Sequence, residues 1–342
     1  MKKMSEPQRH REHREKPTPR NRIFDTNKNW IFDINTQGNA LGSPVLHPSP
    51  TMPQPVFTAV GQDGLRITSA DGLTWSDQQL GKEGESYRAV AAGNGLFVAV
   101  GSFGGDNILA ATADGSTWKT GKHEAKYVRY LRGLAFGNGI FLGLGGDPGS
   151  VGSSRPFVML SKEGLAWDGP HDIPGKHILR RAVWGAGRFV AVGDRGRRAS
   201  STDGKEWKDA AEGKAIDTLV DIAFGNGVFV GVGLHGLRMT SRDGLSWTPP
   251  VRGDEGEHLN SVVFAKDRFV AVGVGATYTS ADGQKWDRVP NENAPQVAAY
   301  GAGVFIGAAW KGRLSISTDG VKWKETHKAG RHVLAVAADP IK

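Results

Sequence analysis

Residues 69–75 read Ser-Ala-Asp-Gly-Leu-Thr-Trp, and this phrase decides the fold because the chain repeats it. A hydroxyl residue, any residue, Asp-Gly, two further residues and Trp recur seven times, with Glu163 in place of Asp in the third copy. The copies are Ser69–Trp75, Thr112–Trp118, Ser161–Trp167, Ser201–Trp207, Ser241–Trp247, Ser280–Trp286 and Ser317–Trp323. A period of about forty residues predicts an array of similar supersecondary units.

Each phrase predicts a tight hairpin turn. Asp-Gly tolerates the positive φ angles of such a turn, and the carboxylate and hydroxyl can accept hydrogen bonds from its unpaired N–H groups. The Trp opens the next strand and is expected to pack between neighbouring sheets. Seven copies spread around an array cannot converge on one ligand, so we interpret them as structural. These residues are Asp71, Asp114, Glu163, Asp203, Asp243, Asp282, Asp319, Trp75, Trp118, Trp167, Trp207, Trp247, Trp286 and Trp323.

A second unit precedes the turn phrase and completes a four-stranded repeat. Residues 89–101 and 221–233 each contain an apolar run, a Gly-Asn-Gly turn and another apolar run, which is typical of a β-hairpin. The first repeat lacks its inner strand, and residues 335–339 after the last Trp resemble that missing piece. We therefore predict an all-β, single seven-bladed β-propeller with four-stranded antiparallel blades. The C-terminal strand would complete blade 1 and close the ring.

The turn phrase resembles the Asp-box, or bacterial neuraminidase repeat, of sialidase-like β-propellers. It differs from the usual Ser-x-Asp-x-Gly-x-Thr-Trp because no residue separates Asp from Gly. With the glycine turn and Phe-Val-Ala-Val-Gly (residues 97–101), it is more similar to bacterial propeller repeat proteins than to the enzymes. A more distant resemblance is to the photosystem II assembly-factor type of propeller, which implies a protein partner. The resemblance covers residues 55 to 339 and implies a scaffold.

The basic character of the chain is concentrated at its N-terminus. Residues 1–28 hold nine Lys or Arg residues and four acidic residues, whereas the rest of the chain is nearly balanced, with 34 against 31. Eight of the 17 prolines fall within the first 55 residues. We therefore predict a disordered basic, proline-rich tail over residues 1–54 and the propeller over residues 55–342. Because the charge belongs to the tail, it does not identify the propeller as a nucleic-acid-binding domain.

The composition excludes several kinds of catalytic and metal-binding site. The chain has no cysteine, which excludes thiol catalysis and disulfides, and its ten histidines show no metal-ligand spacing. We expect no cofactor and no metal. Neither a signal peptide nor an apolar membrane span is recognisable, so the sequence as written predicts a cytoplasmic protein, and export would require a different start. We expect a monomer.

Length variation points to one face of the ring. The Gly-Asn-Gly and Asp-Gly turns lie on one face and are uniform, whereas the variable connections, such as residues 102–107 and 146–155, lie on the other. Insertions confined to one face are typical of a binding face. Three inner strands begin there with arginine, and their guanidinium groups would suit a carboxylate, sulfate or phosphate. The candidate ligand-binding residues are Arg88, Arg132, Arg180, Tyr87, Tyr130 and Trp310.

Two functional hypotheses follow. The first is a non-catalytic binding or scaffolding propeller that holds a protein or carbohydrate partner on the variable face. The alternative is a sialidase-like glycoside hydrolase, using two carboxylates across the channel mouth, such as Asp172 with Asp217 or Asp254. The seven repeats and the lack of an assignable Tyr–Glu pair favour the binding module. The catalytic residues of the alternative enzyme stay unknown. The alternative interpretation of the candidate arginines is that they are solvated or paired with acidic loop residues such as Glu83, Glu85 and Glu124.

Overall fold

Alternating apolar strands and glycine turns produce seven antiparallel sheets arranged as the blades of a β-propeller. The computed structural model describes residues 54–123, 129–146, 155–211, 217–254 and 256–339. The predicted tail over residues 1–54 lies outside the described residues except for Gln54. The prediction of a seven-bladed all-β propeller is confirmed.

Strands are numbered along the chain, and each blade runs from the central channel outward. Blade 2 comprises β3 (Ser86–Gly93), β4 (Leu96–Phe103), β5 (Asp106–Thr112) and β6 (Lys119–Thr120). Blade 3 comprises β7 (Gly133–Gly137), β8 (Ile140–Gly145), β9 (Phe157–Ser161) and β10 (Asp168–Asp172). Blade 4 comprises β11 (Leu179–Gly185), β12 (Arg188–Gly193), β13 (Arg198–Ser201) and β14 (Lys208–Asp209).

The remaining blades follow the same order. Blade 5 comprises β15 (Leu219–Gly225), β16 (Val228–Gly233) and β17 (Arg238–Ser241). Blade 6 comprises β18 (Leu259–Ala265), β19 (Arg268–Gly273), β20 (Ala276–Ser280) and β21 (Asp287–Pro290). Blade 7 comprises β22 (Val297–Gly301), β23 (Val304–Ala309), β24 (Arg313–Ser317) and β25 (Lys324–Lys328). Two short 3₁₀ turns, Asp194–Gly196 and Trp310–Gly312, connect second to third strands.

Blade 1 is built from both ends of the propeller. It comprises β1 (Phe57–Gly61), β2 (Arg66–Ser69) and the C-terminal β26 (Val333–Ala338). Strand β26 pairs antiparallel with β1, with Phe57 opposite Ala338 and Val60 opposite Ala335. The predicted closure by the C-terminal strand is confirmed. In blades 1 and 5 the fourth strand is reduced to isolated bridges, Arg66–Gln79 in blade 1 and Arg238–Val251 with Ser241–Trp247 in blade 5.

In blades 3 to 6, an aromatic side chain of the inner strand packs against a glycine of the preceding blade. In blade 6, Phe264 of the inner strand contacts Phe269 of the second strand, with ring centroids 4.8 Å apart. A Cβ on Gly225 of blade 5 would lie only 2.0 Å from the Phe264 ring. Glycine at this position therefore lets neighbouring inner strands approach closely around the channel.

The strand directions define two faces, whose names are used from here on. The turn face carries the hairpins between first and second strands together with the seven Trp-terminated turns. The variable face carries the connections between second and third strands, such as Phe103–Asp106 and Ala309–Arg313, and the links between successive blades. The starts of the inner strands, and with them the candidate arginines, lie at the variable face.

Candidate functional site at the channel mouth

Hydrogen bonds within the Trp-terminated turns explain why their carboxylates are structural. In the first copy, Asp71 Oδ1 accepts hydrogen bonds from the N–H groups of Leu73 and Thr74, both at 2.8 Å. Ser69 Oγ accepts one from the Gly72 N–H at 2.8 Å. The Asp and Ser side chains thus accept hydrogen bonds from backbone N–H groups of their own turn. In the second copy the same hydrogen bonds outweigh desolvation and lower the pKa of Asp114 to about 2.

At the opposite face, the three candidate arginines line one cavity. Arg88, Arg132 and Arg180 come from consecutive blades and surround a cavity of about 190 Å³ at the channel mouth. Arg181, Val220 and Leu334 complete its lining. The structure thus brings together the three arginines that the sequence places at aligned strand starts.

The three guanidinium groups differ in their surroundings. Arg180 Nε pairs with Asp194, which lies in the 3₁₀ turn of its own blade. Arg132 Nε lies 3.5 Å from the carbonyl oxygen of Tyr130, and its guanidinium is 5.9 Å from the centre of the Tyr130 ring. Arg88 is exposed and has no hydrogen-bond or ion-pair partner among the residues that the structure describes. Its guanidinium is therefore available to an incoming anion.

A second cavity of about 190 Å³ lies in the channel and shares Arg181 and Leu334 with the mouth. Arg181 Nη1 donates to the carbonyl oxygens of Arg132 at 2.6 Å and of Arg180 at 3.1 Å. Burial lowers the pKa of Arg181, and the nearby carboxylate of Asp221 opposes that shift. Burial raises the pKa of Asp221, although the Arg181 charge and hydrogen bonds from Val262 and Ser261 oppose it. The channel thus contains two opposite charges, on Arg181 and Asp221, that interact electrostatically.

Sequence reasoning missed Arg181 and Asp221, although a signal was present. Both lie four residues before the glycine that ends their inner strand, a position where other blades carry small or apolar residues such as Ala89 and Val297. Charged residues at a channel-lining position normally occupied by alanine or valine are rare unless paired. Aligning the repeats would have identified them.

The two candidate tyrosines are placed differently. Tyr87 is 5% exposed and packs in the core between blades 1 and 2, with the Arg66 guanidinium 5.6 Å from its ring centre. Burial also raises the pKa of Tyr87. Tyr130 is half-buried beside Arg132, as described above. Neither tyrosine lines the mouth cavity.

Trp310 also lies on the variable face but does not line the mouth cavity. It is 64% exposed, and its ring stacks on His332 with centroids 4.5 Å apart and planes within 6°. His332 precedes Leu334 of the mouth by two residues, so in an extended chain their Cα atoms lie about 7 Å apart. One face of the Trp310 ring is thus covered by imidazole.

The three carboxylates that the hydrolase hypothesis names do not line the mouth cavity. Asp217 pairs with Arg252, and neither Asp172 nor Asp254 lines the cavity. Within the described residues, no group of three His, Cys, Asp or Glu side chains could hold a metal ion. In the same part of the chain, no helix is long and apolar enough to cross a membrane.

Comparisons with known proteins support the fold. No protein-family model matches the chain, and no curated protein sequence does. A solved structure described as YCF48 bound to D1 peptide is 18% identical, with a TM-score of 0.52, covering 71% of this chain and 82% of that one. YCF48 from Cyanidioschyzon merolae is 15% identical, with a TM-score of 0.50 and coverage of 72% and 87%. The computationally designed Ika8 protein is 12% identical, with a TM-score of 0.56 and coverage of 82% and 90%. At these identities the likeness concerns the fold alone.

Proposed function

We propose that this chain is a non-catalytic binding propeller that holds a protein or glycan partner on its variable face. The observation that carries the proposal is the single cavity lined by Arg88, Arg132, Arg180 and Arg181. Guanidinium groups bind carboxylate, sulfate and phosphate through paired N–H donors, and convergent groups are suited to hold one anionic group. The arginine cavity would therefore anchor an anionic part of the partner.

The size of the cavity favours an anchoring point over a complete small-molecule site. Its volume of about 190 Å³ is below the roughly 300–1,000 Å³ typical of small-molecule pockets. One carboxylate or sulfate would fit, with the rest of the partner outside the mouth. A larger partner would then contact the surrounding loops of the variable face.

Two further observations support binding over hydrolysis and a protein over a glycan. Among the described residues that line the mouth cavity, none carries a carboxylate that could act as a general acid. One solved structure of similar fold is described as holding a peptide. A protein partner is therefore our first candidate, and a glycan is the second.

A thermal-shift screen tests the proposal. The purified protein would be melted with acidic peptides, sialic acid, heparin, neutral sugars and inorganic sulfate, alongside the triple variant Arg88→Ala/Arg132→Ala/Arg180→Ala. A ligand at about a hundred times its Kd stabilises the folded state by about 2.7 kcal/mol. We expect stabilisation by an anionic ligand that the triple variant loses.

The matched control removes three cations from the turn face. Arg242, Lys285 and Lys322 are exposed there, so their replacement by alanine changes the net charge equally without touching the mouth. This control should keep the stabilisation. Equal losses in both triple variants would indicate non-specific charge attraction and contradict the proposed site.

A further inference from the structure

The exposed apolar side chains of the propeller are concentrated on the variable face. Seven large apolar side chains are exposed among the described residues, and only Leu73 lies in a turn-face loop. The other six, named the apolar tips, are Leu80, Phe103, Val251, Val274, Val289 and Trp310. They lie in the connections of that face or at strand ends that pair near it. The variable face thus carries most of the exposed apolar side chains of the described residues.

Trp310 is the largest apolar tip and is held in place. It opens the 3₁₀ turn Trp310–Gly312, in which Lys311 adopts a positive φ of 61°. A Cβ on Gly312 would lie 2.4 Å from the carbonyl oxygens of Ala329 and Arg331, so this turn packs tightly against the link to β26. His332 covers one face of the indole, while the side chain as a whole stays 64% exposed. A fixed ring with an open face loses little conformational freedom on binding.

Positive charge accompanies the apolar tips. The Lys82 ammonium lies 6.0 Å from the centre of the Phe103 ring, and Lys311 is exposed next to Trp310. Arg88 at the mouth has no partner among the described residues. At these three positions, charge complementarity favours acidic groups on the partner.

The aliphatic members of the apolar tips favour a protein partner over a glycan. Sugar hydroxyl groups buried against Val251 or Val274 would lose water without gaining a hydrogen bond, which is unfavourable. Apolar side chains of a protein gain free energy in the same contact, because both surfaces leave water. Val274 is 59% exposed and Val251 is 50% exposed, so substantial apolar area is available.

We infer that the variable face docks an acidic protein segment that also carries apolar side chains. An acidic side chain of the partner enters the arginine cavity, and an aromatic or aliphatic side chain packs on the open face of Trp310. This inference rests on the proposed function and adds the chemical class of the partner and a second anchoring residue.

Selection from a phage-displayed library of short random peptides tests the inference. We expect the selected peptides to combine Asp or Glu with aromatic or large aliphatic residues. Binding of the best synthetic peptide, measured by calorimetry, should weaken by at least about tenfold in Trp310→Ala, as for a central interface aromatic. Trp310→Tyr, which retains a ring, should recover most of this loss.

Leu73→Ala is the matched control because Leu73 is 53% exposed on the turn face. It should change the affinity by less than about twofold. If only the triple arginine variant loses the peptide and Trp310→Ala binds normally, the proposed function survives and this inference is wrong. Selection of no peptide, with binding of heparin or sialic acid instead, would overturn the inference in favour of a glycan.

Discussion

Arg181 Nη1 donates a hydrogen bond of 2.6 Å to the carbonyl oxygen of Arg132, across the boundary between blades 4 and 3. The contact belongs to a polar belt around the channel. Asp221 of blade 5 lies within electrostatic reach of Arg181 and accepts from the Val262 N–H of blade 6 at 2.9 Å. Ser261 Oγ of blade 6 accepts from the Ala298 N–H of blade 7 at 3.4 Å. Five consecutive blades, from blade 3 to blade 7, are thus linked by polar interactions, and Arg181 among these residues also lines the proposed site.

Replacing Arg181 by methionine should destabilise the protein in a pH-dependent manner. The variant leaves the Arg132 carbonyl without this donor and Asp221 without its cation, which should lower the free energy of unfolding by about 1–3 kcal/mol at pH 7. Burial already raises the pKa of Asp221, and loss of Arg181 raises it further. Urea unfolding at pH 4 and pH 7 measures the effect.

The direction of that pH dependence follows from proton linkage. Below the ordinary aspartate pKa of about 4, the carboxyl is neutral in both states and adds no penalty. As the pH rises through the raised pKa, the folded variant must bury an unpaired charge and loses stability. The difference from the unmodified protein should therefore grow from pH 4 to pH 7. Asp221→Asn in the same variant should remove this growth, and a pH-independent difference would contradict the pairing.

Glu163→Asp should stabilise the third Trp-terminated turn. Glu163 Oε1 accepts one turn hydrogen bond, from the Ala166 N–H at 3.3 Å, whereas Asp114 Oδ1 accepts two at 2.8 and 2.7 Å. Aspartate should restore both bonds and raise the free energy of unfolding by about 0.5–1.5 kcal/mol. The gain should fade as the pH falls from about 4 to 2, since hydrogen bonding lowers the pKa of such a carboxyl. Asp114→Glu is the reciprocal control and should be destabilising.

Gly225→Ala should disturb the packing between blades 5 and 6. The new Cβ would lie 2.0 Å from the Phe264 ring, which already packs against Phe269. Overpacking of this kind costs about 1–3 kcal/mol. Ala265 holds the equivalent position in blade 6, so that interface accommodates a Cβ, and Ala265→Gly should cost only about 1 kcal/mol. Thermal unfolding of both variants compares them, and an unaffected Gly225→Ala protein would contradict the packing argument.

The fold was predictable because its determinants are local and repeated. Asp-Gly turns and a terminal Trp recur at similar spacing, and the resemblance of residues 335–339 to residues 89–93 identified the closing strand. Reduction of the outer strand in blade 5 has a physical cause at Pro249 and Pro250. Proline has no N–H to donate, so a regular ladder cannot run through these positions.

The site was predictable only in part because side-chain partners depend on three-dimensional placement. Alignment of the repeats grouped Arg88 with Arg132 and Arg180. The partner of Arg180, however, is Asp194, which lies in a 3₁₀ turn that no sequence pattern predicted. Tyr87 precedes Arg88 in one strand, and successive side chains of a strand point to opposite faces. The pairing of β3 with β4 shifts register between Tyr87 and Ala89, at Arg88, and in the structure Tyr87 lies in the core. This irregularity is not recognisable in the sequence.

Removal of the basic N-terminal segment should leave the propeller intact. Ordered pairing at the start of the propeller begins with Val56, whose N–H donates to the Ser69 carbonyl at 2.9 Å. A chain starting at Gln54 retains this contact, so its melting temperature should stay within about 2 °C of the full chain. Differential scanning calorimetry makes the comparison. A large decrease would instead mean that residues 1–53 contribute to the folded core, against the predicted domain organisation.

Removal of β26 should abolish cooperative folding, because this strand supplies the inner edge of blade 1. A chain ending at His332 loses the antiparallel partner of Phe57 and Val60 and exposes the unpaired edge of β1. It also loses Val333, which is 3% exposed in the core shared by blades 1 and 7. We expect a broad, non-cooperative thermal transition and aggregation.

A synthetic peptide of residues 333–339 should restore a cooperative transition when added to the truncated chain, since a ligand that binds only the folded state stabilises it by mass action. A scrambled peptide of the same composition should have no effect, because register and alternation place Ala335 and Ala337 in the core between blades 1 and 2. Rescue by both peptides would indicate non-specific association. A truncated chain that melts like the full chain would mean that pairing of β26 with β1 is dispensable, and that the contacts between the other blades suffice to hold the ring.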